Sequence, residues 1–122
     1  MCFFNRLAQV KKDVPELTMD EIKEIFTKNT FKKVNIIGGE PMMHGNILDT
    51  MHLFDSLDMK YDLATNGTLI NKMNIDTLSA MKGLVSVGMS LDGNQEMHNE
   101  IRGSPVAFQQ TINSFKMLHE RG

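Results

Sequence analysis

The sequence has very little cysteine, no tryptophan and almost no excess of either charge. Of its 122 residues, one is cysteine, at position 2, and 13 are basic against 15 acidic, a formal net charge of −2. A lone thiol cannot form an internal disulfide, which excludes the disulfide-stabilised secreted class. The near-balance of charge provides no broad basic field, so we expect no nucleic-acid partner.

Long apolar runs and targeting signals are also missing. No run approaches the roughly 18–20 apolar residues that cross a bilayer, and residues 1–6 lack the charged-then-apolar order of a signal peptide. We therefore expect a cytoplasmic protein with no membrane partner. Hydrophobic residues are 41% and charged residues 23% of the chain, as in ordinary globular domains, and no linker divides it, so residues 1–122 are expected to form one unit.

Helix signals and strand signals alternate along the chain. Thr18 and Glu21 form a capping box before a helical apolar face, and short β-branched runs each end at a glycine-containing turn. The predicted helices cover residues 18–29, 47–57, 75–81 and 105–121, the last with Gly122 as its cap, and the predicted strands cover 34–37, 60–65 and 84–91. Alternation of this kind predicts an α/β fold with parallel strands and right-handed crossovers.

Polar residues follow the three predicted strands at a constant interval. Glu40, Asn66 and Asp92 lie 26 positions apart, which is close to one unit of a (β/α) barrel, whose eight units share roughly 250 residues. Because the carboxyl ends of parallel strands meet at one edge, these residues should lie there together. The spacing predicts a partial, TIM-like (β/α) barrel of about three parallel βα units.

The cluster Gly38-Gly39-Glu40-Pro41 gives the sharpest chemical signal. Two glycines at a strand end let a ligand approach the backbone, and proline keeps the chain extended behind the carboxylate. A carboxylate beside exposed carbonyls suits a cationic group such as an ammonium. A tight turn with a solvated glutamate explains the same four residues equally well.

The other two strand ends are less specific. Residues 65–68, Thr-Asn-Gly-Thr, are on their own an ordinary turn. Ser90 and Asp92 lie two apart, on one side of an extended strand, and could bind the vicinal hydroxyls of a ribose. They could equally end the strand and cap the next helix.

The segment His98–Gly103 is placed in the loop before the last helix. Arg102 could make a bidentate pair with a ligand carboxylate, or a surface pair with Glu96 or Glu100. The four histidines show no zinc-site spacing, and a solvated or satisfied histidine is the better explanation for each.

Taken together, the motifs resemble the radical S-adenosylmethionine enzymes over essentially the whole chain. That family carries Gly-Gly-Glu-Pro after its second barrel strand and Thr-Asn-Gly after its third, here at 38–41 and 65–67. Ser-Leu-Asp-Gly after the fourth strand and then His-x-x-x-Arg-Gly, here at 90–93 and 98–103, are frequent in peptide-maturing and haem-biosynthesis members.

The resemblance implies a binding site for S-adenosylmethionine and names no catalytic residue. The glycines and the glutamate would bind the methionine amino group, the serine and aspartate the ribose, and the arginine the methionine carboxylate, with the asparagine on the same rim. The implied binding residues are Gly38, Gly39, Glu40, Pro41, Asn66, Ser90, Asp92 and Arg102.

The family's cluster motif is where this sequence departs from the pattern. Radical S-adenosylmethionine enzymes bind a [4Fe–4S] cluster through Cys-x-x-x-Cys-x-x-Cys after the first strand. Cys2 resembles the third of these cysteines and would be a metal ligand. The resemblance then implies that residues 1–122 are the second to fourth βα units of the family's core, and that the first strand and the fifth and sixth units are missing. One thiolate cannot hold the cluster, so we expect this chain alone to lack it and to be inactive.

For the full-length parent, the resemblance implies reductive cleavage of S-adenosylmethionine to a 5′-deoxyadenosyl radical that abstracts hydrogen from a peptide, a tetrapyrrole or another substrate. A low-potential donor such as flavodoxin or ferredoxin would supply the electron. The open sheet edges of a fragment should promote self-association.

Two other functions remain open. One is a non-catalytic module that binds S-adenosylmethionine or serves as a scaffold without a cluster. The other is a (β/α) metabolic enzyme with a phosphorylated substrate, which is disfavoured because no glycine-rich loop with a nearby lysine is present.

Overall fold

The computed structural model describes residues 15–122, which form five α-helices and three β-strands. The helices are α1 (Met19–Lys28), α2 (Ile47–Ser56), α3 (Ile75–Ala80), α4 (Gln95–Arg102) and α5 (Ala107–His119). The strands are β1 (Val34–Ile36), β2 (Tyr61–Thr65) and β3 (Leu84–Met89), and a short 3₁₀ turn covers Pro41–Met43. Within these residues, no helix has the length and apolar character needed to span a membrane.

The three strands form one parallel sheet in the order β1-β2-β3. Ile36 lies beside Leu63 and Leu63 beside Val87, so consecutive strands are neighbours and their carboxyl ends meet at one edge. This confirms the predicted α/β architecture with parallel strands. It also places the loops that follow the three strands on the same rim of the sheet.

One predicted loop is a helix. The segment His98–Gly103 lies mostly within α4, which begins after Asn94 and ends at Gly103. The Asn94 side chain accepts the N–H of Met97 at 3.0 Å, and Gly103 adopts a φ of +64°, the left-handed conformation that commonly ends helices. The expected loop was wrong because α4 lacks a long apolar stripe, although both of its ends carry ordinary capping residues.

The two faces of the sheet differ in character. One face packs on the helices and forms the core, whose fully buried members include Tyr61, Leu63, Met51, Ile75 and Leu78. The opposite face carries small and polar residues, because successive strand residues point to opposite sides.

Asp62 lies on this polar face and is paired there. It forms an ion pair with Lys33 at 2.5 Å and accepts the Ser86 hydroxyl at 2.7 Å. The hydrogen bond from Lys33, and then that from Ser86, lower the pKa of Asp62 below its ordinary value.

The amino-terminal edge of the sheet is closed by Asp55, on α2. Its carboxylate accepts the Tyr61 hydroxyl at 2.9 Å and the N–H groups of Lys82 and Gly83 at 2.8 Å each. Burial alone would raise the pKa of Asp55, but these donors outweigh it and the pKa lies below its ordinary value. A β-carbon at Gly83 would lie 2.2 Å from the carbonyl oxygen of Met59, so only glycine fits beside this carboxylate.

Candidate functional site

Glu40 joins the ends of the first two strands. Its Oε1 accepts the N–H of Met42 at 3.1 Å and the Thr65 hydroxyl at 2.6 Å, and its Oε2 accepts the N–H of Asn66 at 2.6 Å. The side chain is therefore held in place and is not simply solvated. A carboxylate offers about four acceptor positions, so one remains for a donor on a ligand.

Gly38 and Gly39 have open space where a side chain would be. A β-carbon built on either residue meets no atom within 4 Å. By contrast, Gly67 has a φ of +79° and its β-carbon would lie 3.0 Å from Met89 Sδ, so the chain itself requires glycine there. Packing within the described residues does not require glycine at 38 and 39. Their effect is to leave the backbone open to a ligand.

Five of the eight residues expected to bind a ligand line one cleft at the carboxyl edge of the sheet. The cleft has a volume of about 120 Å³, and these five residues are Gly38, Gly39, Asn66, Ser90 and Arg102. Ser90 lies just beyond the end of β3, not on the strand as expected. Its backbone N–H donates to the carbonyl of Thr65 at 3.2 Å, which keeps it beside β2.

The other three residues expected to bind the ligand lie around this cleft. Glu40 and Pro41 line an adjoining groove of about 300 Å³, which the two glycines also border. Asp92 lines neither space but contacts Arg102. Cys2 lies outside the described residues 15–122.

Arg102 pairs with Asp92. Nη2 of Arg102 lies 2.6 Å from Oδ2 of Asp92, and each side chain is about one third exposed. The approach is close but lies off the hydrogen-bonding direction, so the contact is an ion pair. The alternative pairing with Glu96 or Glu100 is not formed. A guanidinium has five N–H donors, which leaves donors for a ligand carboxylate.

His98 begins the His-x-x-x-Arg-Gly motif, but sequence reasoning assigned it no role in the site. Its side chain is fully buried, and Nδ1 accepts the backbone N–H of Asp92 at 3.1 Å. The ring packs edge-to-face on Phe108 with centroids 5.9 Å apart. A lone histidine in a polar segment carries no signal of burial, because the burial arises from the packing of α4 against α5.

Two buried hydroxyls on α5 hold the loop that follows β2, and no sequence pattern pointed to them either. Thr111 donates to the carbonyl of Asn66 at 2.8 Å. Ser114 Oγ lies 2.6 Å from the carbonyl oxygen of Gly67 and 2.8 Å from that of Ile70. The last helix therefore fixes the rim at Asn66.

These residues suit part of an S-adenosylmethionine molecule. Small-ligand sites usually occupy about 300–1,000 Å³, so a cleft of 120 Å³ with its adjoining groove can hold one portion of such a ligand. The donor set also fits: open glycine backbone and a carboxylate suit an ammonium, and an arginine suits a carboxylate.

The residues present do not fit an iron–sulfur cluster. Such clusters are held by several cysteine thiolates, whereas the sequence has one cysteine. Residues 15–122 contain no group of three His, Cys, Asp or Glu side chains able to hold a metal ion.

Comparison with known proteins identifies one family. The family model described as the Radical SAM superfamily matches residues 1–122. The antilisterial bacteriocin subtilosin biosynthesis protein AlbA of Bacillus subtilis (strain 168) is 35% identical over 88 residues, which are 71% of this chain and 20% of AlbA. The AdoMet-dependent heme synthase of Methanosarcina barkeri is 32% identical over 109 residues, 86% of this chain and 31% of that protein.

Among solved structures, Streptococcus suis SuiB superposes with a TM-score of 0.68 at 25% identity, covering 84% of this chain and 24% of SuiB. This likeness confirms the predicted fold, an α/β chain forming part of a (β/α) barrel. The chain spans between a fifth and a third of the length of the relatives it matches.

Proposed function

The chain belongs to the radical SAM superfamily of enzymes, and from that membership we propose that its strand-end cleft binds part of S-adenosylmethionine. The observation that carries the proposal is the convergence of Gly38, Gly39, Asn66, Ser90 and Arg102 on one cleft. They come from the ends of three strands and from α4, as a shared ligand would require.

Each side chain has a distinct proposed task. The free acceptor position of Glu40 and the open carbonyls of Gly38 and Gly39 take the methionine ammonium. Arg102 binds the methionine carboxylate with the N–H donors that its contact with Asp92 leaves free. Ser90 binds the ribose, and Asp92, two residues later, lies on the same side of the ligand as Ser90. The ion pair and hydrogen bonds described above hold these groups in place before the ligand arrives, so little ordering is needed on binding.

The full-length parent is proposed to be a radical S-adenosylmethionine oxidoreductase. S-adenosylmethionine would supply the chemistry when bound: one-electron reduction would break its bond between sulfur and the 5′ carbon to give methionine and a 5′-deoxyadenosyl radical, which would take a hydrogen atom from the substrate. The protein would bind and orient it. The electron comes from a low-potential donor such as flavodoxin or ferredoxin. A peptide or tetrapyrrole substrate is supported by the names of two relatives, a bacteriocin biosynthesis protein and a heme synthase.

The 122-residue chain alone is proposed to be inactive and to hold no stable cluster, with its residues forming the second to fourth βα units of the core. Its single cysteine supports this, since one thiolate does not hold a [4Fe–4S] cluster. The test is anaerobic reconstitution with iron and sulfide. We expect no iron–sulfur absorption and no 5′-deoxyadenosine, and the appearance of both would refute the proposal.

Binding of S-adenosylmethionine is testable without a cluster. Titration followed by ¹H–¹⁵N nuclear magnetic resonance should shift the amides of Gly38, Gly39 and Ser90 more than those of α3. Gly38→Ala, which adds a methyl group at a residue that lines the cleft, should weaken binding about tenfold. Gly45→Ala is the matched control, because that glycine also has open space around it but lines neither the cleft nor the groove. Equal effects of both substitutions, or no shifts at the cleft, would count against the site.

A non-catalytic S-adenosylmethionine-binding or scaffold module remains the second candidate, and the single cysteine is the observation that favours it. Calorimetry separates the two functions. Affinity in the millimolar range is expected of an incomplete site, whereas micromolar affinity for the chain alone would favour the module.

We also propose that the chain self-associates. Within residues 15–122, no strand pairs with the outer side of β1 or of β3, and Ile37, Val85 and Phe115 near these edges are each more than half exposed. Unpaired strand edges promote pairing with a second copy. Sedimentation velocity should show concentration-dependent dimers or larger species, and a monomer at all concentrations would contradict this.

A further inference from the structure

His98 holds the turn between β3 and α4 without lining the cleft itself. We propose that it is a positioning residue, which fixes the backbone at Asp92 and thereby the direction in which Arg102 presents its guanidinium to the ligand. The inference deepens the proposed function and rests on it for the identity of the ligand.

The hydrogen bond defines the state of the ring. Because Nδ1 accepts the N–H of Asp92 at 3.1 Å, His98 is the neutral tautomer with its proton on Nε2. Nδ1 also lies 3.7 Å from Oδ2 of Asp92. The side chain is fully buried, so the ring cannot leave this position without disturbing α4.

His98 and Arg102 act on the same residue from one helix. They lie four positions apart on α4, and residues at this spacing share one helical face. His98 binds the backbone of Asp92, while Arg102 contacts its carboxylate at 2.6 Å. Asp92 is therefore held by two contacts. Loss of the hydrogen bond from its backbone to His98 would free the turn, and the contact between its carboxylate and Arg102 depends on that turn.

Packing alone does not explain a histidine here. Among residues 15–122, Nε2 of His98 is buried without a hydrogen-bond partner, and an unpaired buried donor is unfavourable. A phenyl ring of similar size would fill the same space against Phe108 without that cost. What a phenyl ring lacks is the acceptor at Nδ1.

Two substitutions separate the acceptor from the ring. In His98→Asn, the side-chain oxygen can occupy the place of Nδ1 and accept the Asp92 N–H, although the ring is lost. In His98→Phe, the ring is kept and the acceptor is lost. His52→Phe is the control, because His52 is an exposed histidine on α2.

The first measurement needs no ligand. Hydrogen exchange of the Asp92 amide, with the 122-residue chain in solution, should be at least about tenfold faster in His98→Phe than in the wild type, and close to wild type in His98→Asn and His52→Phe. The ¹⁵N shifts of the wild-type ring should show the proton on Nε2. An Asp92 amide that stays protected in His98→Phe, or an Nδ1-protonated ring, would overturn the proposal.

The second measurement is titration with S-adenosylmethionine. His98→Phe should bind it about tenfold more weakly and His98→Asn within about threefold of the wild type. Equal weakening in both variants would assign the effect to the ring and overturn the proposal. If the wild-type chain shows no binding, the proposed function fails, while the exchange of the Asp92 amide still decides whether His98 positions the turn.

Discussion

Replacing Glu40 with glutamine tests whether this side chain holds the rim together. The amide keeps the shape of the carboxylate but removes its charge and turns one acceptor into a donor. In either orientation of the amide, its NH₂ group faces a hydrogen-bond donor, on Asn66 in one case and on Met42 in the other. At least one charge-assisted hydrogen bond is therefore lost and the others weaken.

The structure sets the size of the effect. A hydrogen bond to a charged group contributes about 1.5–3 kcal/mol, and the partly exposed position of Glu40 lowers this, so we expect a loss of about 1–2 kcal/mol. If Glu40 were only solvated, its substitution would lower the free energy of unfolding by less than about 0.5 kcal/mol. The two explanations of the Gly-Gly-Glu-Pro cluster thus differ in a measurable free energy of unfolding.

Urea unfolding followed by far-ultraviolet circular dichroism provides the measurement. With a denaturant dependence of about 1–3 kcal/mol per molar urea, the expected loss of about 1–2 kcal/mol should lower the midpoint of Glu40→Gln by about 0.3–2 M. Glu100→Gln is the matched control, since Glu100 is exposed on α4 and has no ion pair within residues 15–122. An unchanged midpoint for Glu40→Gln would refute the idea that this carboxylate links β1 to β2.

Three further predictions concern stability. Gly83→Ala should lower the free energy of unfolding by about 3 kcal/mol or more, because its β-carbon would lie 2.2 Å from the Met59 carbonyl oxygen. Gly38→Ala, where the β-carbon meets no atom within 4 Å, should stay within about 1 kcal/mol of the wild type. Equal losses of both variants in urea unfolding would contradict this prediction. The lowered pKa of Asp55 means that its contribution to stability is complete above the ordinary value of 3.8 and is lost as pH falls from there through the folded value. Asp55→Asn should therefore reduce the fall of the urea midpoint as the pH is lowered below about 4. A fall as steep as in the wild type would contradict the contribution of the Asp55 carboxylate to stability. Ser114→Ala should cost about 1–2 kcal/mol in calorimetric unfolding, since the single hydroxyl proton shared between the buried carbonyls of Gly67 and Ile70 is lost. An unchanged melting temperature would rule this out.

The elements of the fold followed closely from the sequence wherever local chemistry determines them. The capping box forms as predicted, with the Thr18 hydroxyl accepting from Glu21 at 3.2 Å and Glu21 accepting from the Thr18 N–H at 2.8 Å. The three strands were predicted to within two residues at each end. β3 ends at Met89, whereas the apolar pattern continues to Leu91.

The convergence of the candidate residues on one edge of the sheet was predictable, but their contacts were not. That residues near Glu40, Asn66 and Asp92 share one edge follows from parallel strands alone. Which donors occupy the Glu40 carboxylate depends on the exact register of β1 beside β2, which no local pattern specifies. The contact of Arg102 with Asp92 depends likewise on α4, the one helix that the apolar periodicity did not reveal.

The hydrogen bonds of the rim also suggest an order of assembly. Glu40 bonds to partners 25 and 26 residues later, whereas the Ser114 hydroxyl lies within hydrogen-bonding distance of carbonyls 47 and 44 residues earlier. Contacts between segments close in sequence form with a smaller loss of chain entropy and therefore earlier. During synthesis, we expect the hydrogen bonds of Glu40 to form soon after Asn66 leaves the ribosome. The contact between Ser114 and the Gly67 carbonyl can form only after α5 has left it.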